Sequence, residues 1–392
     1  MKVVIADAFS PAGIEDLKAS GVNLIYDKDL NGESLKAAME SEKPDVLVVR
    51  STKVPADIID SNGQLQLIVR AGAGYDTIDF VHASKKGIYV ANCPGKNANA
   101  VAELAIALIL SIDRRTAEGN ALLKEGKWNK GMFATCKGVR GRTIGIIGFG
   151  NIGQAVAVAA KALGMEVIVS TRTQKEGLDK QLGFTYATQD ELLASSDIVS
   201  LHTPSTGETK GMVDKTFLGK MKADGVLINT SRANIVDEEA LLAKLEANKD
   251  FWVGSDVFNG EPTAKACDFA HALAQHPRVY GTHHCGASTQ QAEAAIGQEA
   301  VRIIKKFSTE GALDKANWVN SANVNDTKMN KVQVRHLDKV GVLAHCFGVF
   351  AENGWNVQEL ENIVFKEREA CVANILFTGD AAKGDGVKKA LE

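Results

Sequence analysis

Short apolar runs alternate with amphipathic stretches along the first part of the chain. Residues 2–6, 46–50, 67–70 and 88–90 are apolar runs of the length expected of buried strands. Amphipathic or Gly/Pro-marked segments separate these runs. Such alternation is typical of a parallel sheet covered by helices. The first ~95 residues are therefore predicted to form one α/β domain.

A second and longer strand–helix series begins at residue 143. Its predicted strands cover residues 143–147, 166–170, 198–202, 225–229, 252–256 and 278–281. Six strands in this arrangement predict a doubly wound sheet. Between the two series, the Ala/Leu-rich segment 97–126 predicts one long helix that leads into the second domain. A further helical pattern covers residues 289–306.

The composition changes after this helix. Residues 308–331 are rich in Asn, Thr, Lys and Asp, which is typical of a linker. The pattern then predicts a strand, a helix over 342–353, strands over 356–365 and 370–377, and a last helix. This βαββα order lacks only one strand of a ferredoxin-like unit. The predicted fold class is α/β, with a flavodoxin-like and a Rossmann-type parallel sheet, both doubly wound, and a small ferredoxin-like tail.

Charge and cysteine content restrict the class of partner. The 45 Lys and Arg residues nearly balance the 48 Asp and Glu residues, for a formal net charge of −3, and no basic run occurs. Nucleic acid and anionic membranes are therefore not expected partners, and a small soluble molecule fits better. The most apolar run, 101–112, is short of the ~20 residues of a membrane span. Six scattered cysteines without a CxxC pair predict free thiols, a cytoplasmic location and no metal site.

A glycine-rich loop lies between a predicted strand and a predicted helix. Gly148, Gly150 and Gly153 form a GxGxxG pattern after the strand TIGII and before the helical pattern QAVAVAAKALG. In such a loop the first glycine permits the tight turn, the second lets the backbone approach a pyrophosphate, and the third lets the helix pack on the strand. The helix N-terminus favours the phosphate charge. The loop therefore predicts a dinucleotide site.

The strand that follows this loop ends without an acidic residue. Thr171, Arg172 and Thr173 stand where an NAD-preferring site places Asp or Glu on the ribose 2′-hydroxyl. Arg172 can pair with a 2′-phosphate, and the two hydroxyls can donate hydrogen bonds to it. The sequence thus favours NADP(H), while NAD(H) stays open.

Three segments carry charged groups after strands of the second series. Arg232 follows the strand 225–229, Asp256 and Glu261 end or follow the next strand, and His284 follows 278–281. Ligands of open α/β sheets bind beyond the carboxyl ends of the strands, so these groups should converge there. Reduction of a 2-keto acid needs a cation for the carboxylate and a proton donor for the ketone, which Arg232 and His284 can supply. A neighbouring Glu261 would raise the pKa of the imidazole and orient it.

These segments resemble those of the D-isomer-specific 2-hydroxyacid dehydrogenases. The resemblance covers residues 3–306 and is carried by GIIGFGNIG, LINTSRANIVDEEAL, SDVFNGEP and THHCGAST. It implies that Arg232, Glu261 and His284 are the catalytic residues, although His283, which stands where many members have proline, leaves the choice of imidazole open. The further cofactor contacts that it implies are Asn151, Ile152, Thr203, Pro204, Thr230, Asp256 and Gly286.

Segments of the first domain resemble family members that act on a phosphorylated substrate. The motifs are VVRSTKVPADII, IVRAGAGYDTID and ANCPGKNANAVAEL, and they imply substrate contacts at Arg50, Ser51, Arg70, Gly74 and Asn97. A substrate with a carboxylate and a phosphate needs several cations. The implied reaction interconverts 3-phosphoglycerate and 3-phosphohydroxypyruvate at the start of L-serine synthesis. An NADPH-dependent glyoxylate or hydroxypyruvate reductase and a dinucleotide-sensing regulator are the alternatives.

The resemblance also implies a domain organisation and an assembly. The substrate domain would comprise 1–97 plus 287–310, the dinucleotide domain 98–286, the linker 311–330 and the tail 331–392. Subunits would pair through the long helical segment as a homodimer or homotetramer. The tail resembles an ACT domain, which implies an L-serine effector bound by His336, Asp338 and Asn356, although related serine sites have asparagine at the Asp338 position. The chain stops before the last ACT strand, so we expect either that the sequence is truncated or that a sheet edge is unpaired or supplied by a partner.

Overall fold

The computed structural model describes residues 1–262, 266–321, 329–366 and 369–391. They fall into two compact units, Met1–Asn320 and Ser321–Glu392. In these residues, no helix combines the length and the apolar character needed to cross a bilayer.

A five-stranded parallel sheet opens the first unit. Its strand order is β2-β1-β3-β4-β5, with β1 Lys2–Ile5, β2 Asn23–Tyr26, β3 Val46–Val49, β4 Leu67–Arg70 and β5 Tyr89–Asn92. The sequence pattern predicts four of these strands and misses β2. This strand lies at the edge of the sheet, and its residues are half-buried or exposed. It therefore lacks the fully apolar run that marks a central strand.

A seven-stranded parallel sheet follows in the same unit. Its order is β12-β11-β10-β9-β6-β7-β8. The strands are β6 Thr143–Ile147, β7 Glu166–Ser170, β8 Thr185–Tyr186, β9 Ile198–Leu201, β10 Val226–Asn229, β11 Trp252–Ser255 and β12 Val279–Gly281. The prediction of six strands misses only β8, which is two residues long. The two parallel sheets confirm the predicted α/β fold class.

Helices cover both sheets. The predicted single helix over 97–126 is wrong, because Arg115 adopts a left-handed conformation with φ 52° and divides it in two. Buried Ala105, Leu108 and Ile109 pack the first half into the core of the larger sheet. The helices of the unit are α1 Pro11–Ala19, α2 Gly32–Glu42, α3 Ala56–Asp60, α4 Phe80–Lys85, α5 Ala98–Arg114, α6 Thr116–Lys124, α7 Asn151–Ala162, α8 Leu178–Leu182, α9 Gln189–Ser195, α10 Lys215–Lys220, α11 Glu238–Ala247 and α12 Gln290–Glu310.

The chain returns to the smaller sheet through α12. Ile296, Ala300 and Ile304 of this helix are buried in the core that it shares with β1, β3 and β4. Residues 311–320, predicted as part of the linker, instead pack on β5, where the Val319 N–H donates to the Val90 carbonyl at 2.8 Å. The asparagines that give this segment a linker-like composition bond to the strand edge, which is why composition misleads here. Residues 322–328 of the predicted linker lie outside the described residues.

The second unit is a small antiparallel sheet with helices. Its strands β13 Asn330–Leu337, β14 Asn356–Val364 and β15 Ala370–Thr378 have the order β13-β15-β14. Two helices, α13 Val342–Glu352 and α14 Gly384–Leu391, supply Phe350 and Val387 to its core. The Trp355 and Phe377 rings stack there with centroids 3.9 Å apart. The observed βαββα order is the predicted one.

Asn317 is a buried polar residue that ties residues 311–320 to β5 and α12. Its amide donates to the Asn92 carbonyl and to Glu299 Oε1, each at 3.0 Å. We expect Asn317→Ala to lower the free energy of unfolding by about 2 kcal/mol, because the buried Asn92 carbonyl loses a donor. Urea denaturation measures the change. Lys315→Ala, at an exposed position nearby, is the control, and an equal effect of both variants would contradict the assigned role of Asn317.

Candidate active site

The carboxyl ends of the parallel strands in the larger sheet lie along one edge. The segments that follow β6, β9, β10, β11 and β12 therefore meet there. They contain the glycine loop and most of the residues predicted to contact the cofactor, together with the three predicted catalytic residues.

The three loop glycines have different physical roles. Gly148 has φ +89°, and a Cβ there would lie 2.5 Å from the His202 carbonyl oxygen. A Cβ on Gly153 would lie 2.3 Å from the Gly148 carbonyl oxygen. A Cβ on Gly150 would meet no described atom within 4 Å. The first and third glycines are thus required by packing of the chain on itself, whereas the second leaves open space before the first turn of α7.

Several polar atoms beside this loop are buried without a hydrogen bond in the described structure. They are Thr203 Oγ1 after β9, Thr230 Oγ1 after β10 and Asn97 Oδ1 before α5. A buried polar atom without a partner is costly, so a bound group that supplies partners would be stabilised at these positions. The open space at Gly150 and these orphaned atoms fit a dinucleotide.

The residues that follow β7 are on the surface. The Arg172 side chain is 86% exposed, and its Nη1 atom lies 3.2 Å from Glu208 Oε2. The sequence reasoning did not single out Glu208, which follows β9. The predicted 2′-phosphate contact therefore already has a carboxylate beside it.

His284 and Glu261 form a close pair. His284 Nδ1 lies 2.6 Å from Glu261 Oε2, while Glu261 Oε1 accepts a hydrogen bond from the Phe258 N–H at 2.8 Å. The hydrogen bond to Glu261 raises the pKa of His284 above its ordinary value. Burial opposes ionisation of Glu261, but the bonds from His284 and Phe258 hold its pKa below the ordinary value. The structure places His284, rather than His283, against a carboxylate.

Asp256 holds the loop that carries His284. This carboxylate is buried and accepts hydrogen bonds from Thr282 Oγ1 at 2.6 Å, the Cys285 N–H at 2.9 Å and the Gly286 N–H at 2.8 Å. His284 has φ +49°, a conformation that a non-glycine residue keeps only where its surroundings enforce it. Asp256, predicted as a cofactor contact, thus positions the histidine loop.

Arg232 reaches the smaller sheet. Its Nη2 atom lies 2.9 Å from Oδ1 of Asp76, a residue that follows β4. A Cβ on Gly74 would lie 1.9 Å from Arg232 Nη2, so any other residue there would displace the guanidinium from this position. The structure brings together Gly74, predicted as a substrate contact, and Arg232, predicted as catalytic. Sequence reasoning missed Asp76, since nothing in the local pattern connects a carboxylate with an arginine 156 residues away.

Two further arginines end strands of the smaller sheet. The Arg70 side chain makes no hydrogen bond or ion pair with a described residue, and its Nε atom is buried without a partner. Burial and the nearby Arg232 lower the pKa of Arg70 to about 10. Arg50, in contrast, pairs through Nη1 with Glu293 Oε1 at 2.7 Å. The predicted contact Ser51 donates its hydroxyl to Asp7 at 3.0 Å.

The predicted effector residues of the second unit lie apart. His336 pairs in register with Cys371, and its Nε2 atom lies 3.0 Å from Asn362 Oδ1. Asn356 pairs with Thr378, seven residues further along β15, which is about 23 Å in a strand. Asp338 follows β13, at the His336 end of the sheet. One chain therefore does not bring all three together.

Comparisons with known proteins agree on the family. The model for "D-isomer specific 2-hydroxyacid dehydrogenase, NAD binding domain" matches residues 106–286. A hydroxypyruvate reductase from Thermotoga maritima is 43% identical over 263 residues, which cover 67% of this chain and 84% of that protein. A D-3-phosphoglycerate dehydrogenase from Archaeoglobus fulgidus is 36% identical over 319 residues, 80% of this chain and 59% of that protein, so this chain spans about three fifths of that relative.

A solved structure extends the agreement to the fold. The NADPH-dependent glyoxylate/hydroxypyruvate reductase from Sinorhizobium meliloti, in complex with NADP and malonate, has a TM-score of 0.70 and 28% identity, covering 81% of this chain and 96% of that chain. The chain belongs to the family of D-isomer-specific 2-hydroxyacid dehydrogenases.

Proposed function

We propose that this dehydrogenase interconverts 3-phosphoglycerate and 3-phosphohydroxypyruvate, the first step of L-serine synthesis. The observation that carries the proposal is Arg70, a largely buried guanidinium that makes no ion pair with a described residue and is close enough to Arg232 that the two charges interact. A second cation beside the carboxylate-binding arginine suits a substrate with a carboxylate and a phosphate. Gly74 and Asn97 line the same side in this proposal.

The dinucleotide would lie on the glycine loop. Gly148, Gly150 and Gly153 would hold its pyrophosphate at the start of α7 with Asn151 and Ile152, and Thr203, Pro204, Thr230 and Gly286 would face its remaining parts. When bound, the nicotinamide supplies or takes the hydride. Arg172, flanked by Thr171 and Thr173, supports a preference for NADPH, although Glu208 beside Arg172 competes for the same charge.

The three predicted catalytic residues can each perform one task. Arg232 binds the carboxylate of the keto acid in place of Asp76, since both anions need the same guanidinium donors. His284, protonated through its contact with Glu261, donates the Nε2 proton to the ketone oxygen during reduction and accepts it during oxidation. Glu261 holds the imidazole through Nδ1, so that Nε2 is directed away from it.

A second function has its own support. Arg50 already pairs with Glu293, so a second anionic group finds one of its predicted cations occupied. This arrangement favours an unphosphorylated substrate, and the hydroxypyruvate reductase similar to this chain is consistent with it. A dinucleotide-sensing regulator would bind cofactor without turnover.

We also propose a cytoplasmic location, an oligomeric state and an L-serine effector for this protein. The six cysteines are free, as a reducing cytoplasm requires. A homo-oligomer is proposed, because an L-serine site that used His336 and Asp338 together with Asn356 would need Asn356 from a second copy.

Initial rates with three keto acids test the proposal. With 3-phosphohydroxypyruvate, hydroxypyruvate and glyoxylate, each with NADPH and NADH, we expect the largest kcat/KM for the phosphorylated acid with NADPH. Absorbance of the reduced nicotinamide measures the rate. Preference for hydroxypyruvate or glyoxylate would establish the reductase instead, and cofactor binding without turnover would establish the regulator.

Substitutions at His284 and Glu261 should have different effects on the kinetics. His284→Asn should lower kcat by ~10²–10⁴, because the proton donor is lost. Glu261→Gln removes the charge that raises the pKa of His284. Since reduction requires the imidazolium, the falling limb of kcat/KM against pH should move to lower pH in this variant. His283→Asn is the matched control, and a larger loss of kcat there would transfer the role to His283.

Substitutions at two glycines of the loop should affect different properties, cofactor binding at Gly150 and stability at Gly153. Gly150→Ala should fold normally but weaken NAD(H) or NADP(H) binding at least about tenfold, because the new methyl enters the space left for the pyrophosphate. Gly153→Ala should lower the Tm, since its Cβ would meet the Gly148 carbonyl oxygen. Fluorescence titration and thermal denaturation separate the two effects. Unchanged dinucleotide affinity in Gly150→Ala would contradict the proposed cofactor position.

A further inference from the structure

We infer that Glu293 determines how strongly the site binds a second anionic group of the substrate, because its carboxylate forms an ion pair with Arg50. The inference rests on the proposed function, and it names a residue that sets the preference between substrates of different charge. Arg50 directly follows β3, and Glu293 lies in the first turn of α12. Arg50 Nη1 and Glu293 Oε1 are 2.7 Å apart, with 28% and 47% of the side chains exposed.

This ion pair lies on the wall of a cavity of about 350 Å³. Arg50 and Glu293 are the charged members of its described lining, which otherwise consists of neutral residues such as Phe9, Pro11 and Ile296. An apolar wall weakens the screening of charges, so the two side chains interact more strongly than a fully exposed pair. An anion that enters beside Arg50 therefore meets both the attraction of the guanidinium and the repulsion of the carboxylate.

Arg70 and Arg50 differ in whether a carboxylate pairs with them. Arg70 makes no ion pair with a described residue, whereas Arg50 must first leave Glu293. Only the side chain of Arg50 needs to move, since its backbone N–H is held by Asp7 Oδ2 at 2.7 Å. A singly charged keto acid can be bound through Arg232 without Arg50. A phosphorylated acid gains from Arg50 only by competing with Glu293.

A purely structural role for the pair would have other consequences. The helix α12 is already held on the smaller sheet by buried Ile296, Ala300 and Ile304. If the pair served only to hold this helix, its loss would lower the Tm and affect all substrates alike. A role in charge selection changes the ratio between substrates and leaves the fold intact.

Glu293→Gln tests the inference, because it removes the charge and keeps the shape. We expect kcat/KM for 3-phosphohydroxypyruvate relative to hydroxypyruvate to rise about tenfold, mainly through KM, as a unit charge a few ångströms from a phosphate requires. Glu310→Gln is the matched control, since it removes the same charge from the far end of α12, about 25 Å away. The rise should be absent in Glu310→Gln and in the double variant Arg50→Met/Glu293→Gln. A ratio within twofold of wild type in Glu293→Gln would overturn the inference.

A binding measurement separates failure of the inference from failure of the proposed function. Inorganic phosphate is titrated into the wild type, Glu293→Gln and Glu310→Gln, and its Kd is obtained from the rise in Tm. We expect an about tenfold lower Kd in Glu293→Gln alone. If the wild type reduces neither keto acid, the proposed function fails, while the phosphate Kd still decides the role of Glu293. An unchanged Kd together with an unchanged substrate ratio refutes that role alone.

Discussion

The buried carboxylate of Asp256 is the constraint on which the rest of the active site depends. A carboxylate in the interior is tolerated only when donors surround it, and Asp256 has three, all from residues 282–286. The same three bonds fix the turn in which His284 adopts a positive φ. The position of the imidazole, and through it the contact with Glu261, follows from the desolvation of a residue that is not itself the proton donor. Because the backbone of this turn supplies two of the donors, only the Thr282 bond depends directly on a side chain.

The glycine loop is constrained in the same way, by contacts within the protein. Gly148 and Gly153 are required because the His202 and Gly148 carbonyl oxygens approach them closely. Only Gly150 is free of such contacts, so the space above it is available to a ligand. Within the six residues of this loop, two glycines are therefore required by the fold, and the glycine between them leaves space for the proposed cofactor. This separation explains why a sequence motif can be necessary for the fold and still indicate a cofactor.

The sequence predicts this molecule well where the information is local. The strands of the two sheet interiors are apolar runs, and Gly148 lies directly after one of them, so both features follow from periodicity and turn chemistry. The edge strand β2 could not be predicted in this way, because its solvent exposure weakens the apolar pattern. The break between α5 and α6 could not be predicted either, because the left-handed residue there is Arg115 and not glycine, so the sequence gives no signal. Asp76 and Glu293 could not be found either. Each is paired with an arginine more than 150 residues away in the chain, and only the fold brings those charges together.

These distant pairs share a physical logic. Arg232, Arg50 and Arg172 are three of the four arginines predicted to bind anions of the substrate or the cofactor, and each has a carboxylate beside it, from Asp76, Glu293 and Glu208 respectively. Asp76 also offsets part of the repulsion between Arg232 and Arg70, since its carboxylate interacts with both guanidinium groups. In the proposed function, anion binding is an exchange of partners, and the affinity for an anion equals the difference between the new pair and the old one. Arg70 makes no ion pair with a described residue, so an anion bound there would not have to break one. In the proposed function, selectivity for substrate and cofactor therefore depends as much on the carboxylates that hold the arginines as on the arginines themselves.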